Sequence, residues 1–214
     1  MTLHILNLLK KDCLIVKTNL LLMMGFTIFF TVFLVLRTPS LAGAPLFIML
    51  SIFIPMLTTS FISQAEYKAY KVMPLLCASP YSRTAMVISR YLFLYLIFFY
   101  CCIVYFVVMF ILQMKQIHFS SVLTSFLILS ILYGICEPLE YQIGFEKIQY
   151  LFIMLIMVIP FGTVFILKLD LLSKIHITNL PPDFILYILM AAAVIVINAI
   201  SITISSRIFS RREL

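Results

Sequence analysis

Apolar residues gather into six runs separated by short polar intervals: 19–36, 44–63, 85–112, 120–136, 148–167 and 184–204. Eighteen helical residues at about 1.5 Å each reach about 27 Å, enough for the hydrocarbon core of a bilayer. The pattern predicts an all-α polytopic membrane protein with six transmembrane helices in one domain, 1–214. Pro55 falls inside the second run, where a kink is expected, and Pro160 and Gly162 fall inside the fifth. Ahead of the first run, Leu6, Leu9, Cys13, Val16 and Leu20 recur at alternating three- and four-residue spacing. Asn7, Lys10, Lys11 and Lys17 lie elsewhere on the wheel. That spacing predicts an amphipathic interfacial helix with its lysines toward anionic headgroups.

The longest polar interval, Gln64 to Tyr91, reads QAEYKAYKVMPLLCASPYSRTAMVISRY. It carries Glu66, Lys68, Lys71, Arg83 and Arg90, while its middle, Val72 to Ala78, is apolar and too short to span. Bounded by Pro74 and Pro80, it predicts a short amphipathic helix at the membrane surface. Val72, Met73, Leu75 and Leu76 would form its apolar ridge.

Composition agrees with the pattern. Of 214 residues, 64% are hydrophobic and only 11% charged, against about 25% charged in ordinary globular chains. Mean hydropathy is +1.18. A soluble domain is excluded. The net charge of +7 does not point to nucleic acid, because the basic residues flank apolar runs instead of forming a patch. Counted by alternate intervals, eleven of the fifteen Lys and Arg fall on one side. Arg37, Lys115, Lys168 and Lys174 fall on the other. The positive-inside rule then puts both termini, and the 64–91 interval, in the cytoplasm.

Chemistry-bearing residues are sparse. The five cysteines form neither a disulfide framework nor a metal spacing. Glu137 and Glu140, in the short acidic interval 137–147, read as solvated ends of a span. Tyr91, Tyr95, Tyr100 and Tyr105 pack and anchor at the interface, or line a path for amphipathic cargo. Asn198, Ser201 and Ser205 share one face of the last run: a helix–helix or permease–permease contact, or a cargo face. The span centres hold no Asp, Glu, Lys or Arg, and no G-x-x-x-x-G-K-[ST] occurs. An ion relay and a nucleotide site are both absent, so a motor must come from elsewhere.

Glu66-Tyr67-Lys68, Ser79-Pro80-Tyr81-Ser82-Arg83 and Arg90-Tyr91 resemble the D/E-D/E-K, L-P-x-S-R and K-Y motifs of type-2 ABC exporter permeases. The resemblance is to small six-span bacterial members that export toxin peptides of the phenol-soluble-modulin kind, or lantibiotics and other antibiotics. Ala65, Ser79 and Arg90 depart from the family pattern. The resemblance implies that residues 64–84 form a coupling helix docking on a separate cytosolic ATPase. Glu66, Lys68, Val72, Leu75, Leu76, Pro80, Ser82 and Arg83 are the coupling residues it assigns. It further implies a bacterial plasma-membrane location, a second permease chain as homo- or heterodimer, amphipathic peptide cargo, and self-protection against antimicrobial peptides. No cofactor belongs to the chain itself, since ATP and Mg would be bound by the partner. The protein would therefore be no enzyme.

The rivals are a membrane-embedded peptide-processing enzyme and a passive scaffold or immunity protein. A cysteine peptidase needs paired Cys and His. By the charge count, His118 and His176 lie on the opposite side from Cys77 and Cys136, while His4 and Cys13 do not share a helix face.

Overall fold

The computed structural model describes residues 2–15, 17–38, 43–68, 83–113, 118–168 and 183–211. Among these are seven helices: α1 (Thr2–Ile15), α2 (Lys17–Arg37), α3 (Ala44–Lys68), α4 (Arg83–Ile111), α5 (Phe119–Ile143), α6 (Phe145–Lys168) and α7 (Asp183–Arg211). Five of them, α2, α3, α4, α5 and α7, are long and apolar enough to cross a membrane. The fifth predicted run lies within α6, helical over 24 residues.

In lipid a helix must satisfy its own backbone, and its hydroxyls turn back on it as well. Thr27 donates to Met23 O at 2.7 Å, Thr31 to Thr27 O at 2.6 Å and Thr58 to Ile54 O at 2.6 Å. Helix α3 runs unbroken through Pro55, and α5 through Pro138.

Helix α3 is the most enclosed, packed among α1, α2, α4, α5 and α6. Its Phe47, Ile54 and Met56 join Phe93, Leu94 and Tyr105 of α4 and Leu129 and Tyr133 of α5 in one apolar core. The most extensive pairing is α5 with α7. These two run parallel: Phe119 meets Tyr187 at one end (5.8 Å between rings) and Tyr141 meets Phe209 at the other (5.0 Å). The outward faces of α2 and α7 remain apolar and exposed, with Leu21, Phe29, Leu189 and Ile195 among them.

Two expectations are corrected. The interval 137–147 is not a loop. Helix α5 continues to Ile143, Gly144 alone separates it from α6, and Gly144 N donates to Glu140 O at 3.0 Å. The turn needs φ 91° and ψ 158° at Gly144, a region open in practice only to glycine. The buried side of α1 also differs from the predicted one. Leu8 and Asp12 face inward, Leu9 is half-buried and Cys13 is exposed. An i, i+4 pair aimed at α4 outweighs the wider apolar stripe, because Asp12 and its neighbour Lys11 meet charges inside the bundle.

Candidate functional site

One end of the bundle gathers the C-terminal turns of α3, α5 and α7, the N-terminal turns of α4 and α6, and the flank of α1. At its centre is Arg90, two turns inside α4 and 9% exposed. Its Nη2 donates to Glu66 Oε2 of α3. Its Nη1 donates to Glu140 Oε1 at 3.1 Å and Glu137 Oε1 at 3.5 Å, both of α5. The guanidinium carbon lies 5.4 Å from the centre of the Tyr141 ring, in cation–π range. Glu66 is shared: Lys11 Nζ of α1 donates to its other oxygen at 2.7 Å. Lys11 also lies 3.0 Å from Asp12 Oδ1.

Four carboxylates thus meet two cations, with Glu66 7%, Glu137 1%, Glu140 8% and Asp12 1% exposed. Burying a charge costs several kcal/mol unless partners repay it. Arg90 is placed to repay three carboxylates at once, its planar fork addressing two helices from a third. Asp12 is poorly served, since neither of its oxygens makes a hydrogen bond among the described residues. Burial raises its carboxyl above the usual carboxylate range, and Lys11 opposes the rise only in part. A cavity of about 20 Å³, bordered by Leu8, Lys11, Asp12, Ser89, Tyr141 and Phe209, opens beside the cluster.

Helix α6 joins this end through Tyr67. Its hydroxyl donates to the Glu146 carboxylate, and its ring lies 5.7 Å from that of Phe145.

Of the coupling residues, Glu66 sits inside the cluster, whereas Lys68 ends α3 in an exposed position. Arg83 begins α4. Val72, Leu75, Leu76, Pro80 and Ser82 lie outside the described residues. On α7, Ser201 and Ser205 are buried and Asn198 is half-buried. Ser201 Oγ lies 2.5 Å from Tyr91 OH and donates to Gly134 O at 2.7 Å, so Ser201 faces α4 and α5 within the same chain. The tyrosines of α4 tie it to its neighbours. Tyr105 OH donates to Gly43 O (3.0 Å) and accepts from Gly43 N (3.1 Å), and Tyr100 OH donates to Met24 O (3.0 Å).

Glu137 and Glu140 are corrected from solvated span ends to buried partners of Arg90, because α5 carries them back under α4. Lys11, expected to face anionic headgroups, is corrected to a partner of Glu66, and sequence reasoning passed over Asp12 and the central place of Arg90. A signal was available. An arginine two turns inside an apolar helix requires a carboxylate, and Glu137 and Glu140, three residues apart, present two on one helix face.

The chain matches the family described as ABC-2 family transporter protein over residues 7–210, nearly its whole length. It belongs to that family, and is a multi-pass membrane permease of an ABC transporter. No curated protein and no solved structure matches it.

Proposed function

We propose that this chain is the membrane half of an ATP-driven exporter in a bacterial plasma membrane, expelling hydrophobic or amphipathic peptides. In this reading it spans the bilayer six times, α6 included, with both termini cytoplasmic. It pairs with a second permease chain, and a separate cytosolic ATPase, holding ATP and Mg, docks on residues 64–84. The observation that carries the reading is the pairing of Glu66 with Arg90. Glu66 lies just before residues 69–82 and Arg90 shortly after them, so a push on that segment acts on both members of the pair. Lys11, Glu137 and Glu140 would pass the displacement to α1 and α5.

The apolar ridge Val72, Leu75 and Leu76 would fill a groove on the ATPase, each fully buried side chain contributing about 1.5–3 kcal/mol. Lys68 and Arg83 would set its register, with Pro80 and Ser82 shaping the return to α4, while Glu66, expected from the sequence to join them, is held by Arg90 and Lys11 inside the cluster. Exposed ion pairs contribute only about 0–1 kcal/mol, so they orient more than they hold. The test is copurification from membranes with every partner identified. Leu75→Asp with Leu76→Asp should release the ATPase while the permease remains inserted. Arg83→Glu should retain the ATPase but lower export per ATP hydrolysed. Full retention in the double variant would overturn the docking assignment.

A further inference from the structure

Pro138 lies inside α5. In an α-helix the N–H of residue 138 would bond the carbonyl of residue 134, and proline has no N–H to give. The Gly134 carbonyl is nevertheless bonded. Ser201 Oγ of α7 donates to it at 2.7 Å. Ser201 has one proton, already committed to Gly134, so the 2.5 Å contact with Tyr91 must be a bond donated by the Tyr91 hydroxyl. The result is a directed chain from Tyr91 of α4, through Ser201 of α7, to the carbonyl that Pro138 frees in α5. A Cβ at Gly134 would meet Ser201 Cβ and Ile197 Cγ2 at 3.5 Å, ordinary contact, so α7 lies directly against the α5 backbone.

We propose that Ser201 is a positioning residue: its hydroxyl replaces the missing Pro138 donor and holds closed a hinge in α5. The residues beyond the hinge include Glu140 and Tyr141, and the residue just before it is Glu137, all of which touch Arg90. Tyr91, next to Arg90, begins the chain that holds the hinge. Helix α7 therefore governs the position of the α5 end that completes the ion cluster. The hinge rests on helix geometry alone, while its use in transport rests on the permease reading above.

The test is amide hydrogen exchange on the full chain in lipid nanodiscs, which needs neither cargo nor ATPase. Ser201→Ala should speed exchange of the α5 amides 139–143 about tenfold, the equivalent of one lost bond to a buried carbonyl, and leave 121–130 unchanged. Pro138→Ala restores a backbone donor for Gly134. In that background Ser201→Ala should have no effect on 139–143, a rescue that lost packing at Ser201 would not show. Unchanged exchange in Ser201→Ala, or equally fast exchange with and without Pro138→Ala, overturns the proposal. If Ser201→Ala cannot be recovered from membranes, recovery of the double variant supports it. Loss of the double variant, with Pro138→Ala alone recovered, overturns it.

Discussion

Glu66 and Arg90, 24 residues apart in the chain, form a buried ion pair between the two helices that flank residues 69–82. The pair does not stand alone, because the same guanidinium serves Glu137 and Glu140 and the same carboxylate serves Lys11. Four helices are therefore bound at one end by side chains that cannot be exchanged one at a time.

Removing Arg90 alone should be severe. Arg90→Gln leaves Glu66, Glu137 and Glu140 without their shared cation, at a cost of about 3–5 kcal/mol. Thermal unfolding of the detergent-solubilised chain should show the loss, with less protein recovered from membranes. Converting all three glutamates to Gln in the Arg90→Gln background should recover most of the stability, because a neutral set carries no such penalty. That quadruple variant should still bind the ATPase yet couple its hydrolysis poorly to export. Native stability in the single variant would show that the cluster holds nothing together.

The docking of α1 should depend on pH through Asp12. Its carboxyl is raised when α1 is packed, so the docked state binds the proton more tightly than the undocked state. Docking is then strongest at low pH, and weakens as pH rises from the ordinary carboxylate range through the raised value. The groups facing Asp12 are Lys11 on α1, Glu66 on α3 and Arg90 on α4. Glu66 adds to the weakening, while Lys11 and Arg90 limit it. A cysteine at Leu8, in a background lacking the native five, should label faster as pH rises than one at exposed Asn7, with the thiol's own titration divided out by the ratio. Asp12→Asn should flatten that ratio and slow labelling at Leu8. A ratio independent of pH in the parent would remove Asp12 from the docking equilibrium.

Orientation can be read by labelling in the same cysteine-free background. By the positive-inside rule, the eleven-to-four division of Lys and Arg predicts residue 173 outside and residue 70 inside. A cysteine at Ser173 should react with an impermeant thiol reagent on intact cells, and one at Tyr70 only after the cells are opened. The opposite pattern would place residues 64–84 outside, beyond reach of any cytosolic ATPase.

Hydropathy along the chain was enough to put each apolar run inside one described helix, though α3, α5 and α7 run on well past the predicted ends at 63, 136 and 204, and enough to exclude a soluble domain. The reason is local. A segment in lipid must close its backbone hydrogen bonds within itself, so an apolar run of sufficient length is already a helix before it meets any other. Charge asymmetry is likewise a property of the chain, and the orientation it predicts makes no reference to packing. Which side chains meet is not local. Glu137 and Glu140 were visible as a pair, but whether they faced water or Arg90 depended on α5 continuing past Pro138. Past Pro138 the freed Gly134 carbonyl is met by Ser201, 67 residues away in the chain. The inward side of α1 was decided in the same way, by Glu66 and Arg90 waiting beneath Lys11 and Asp12. Rotation of each helix about its axis is set by its neighbours, and only the tertiary structure, by bringing α1, α3, α4 and α5 to one end, turned six scattered charges into one site.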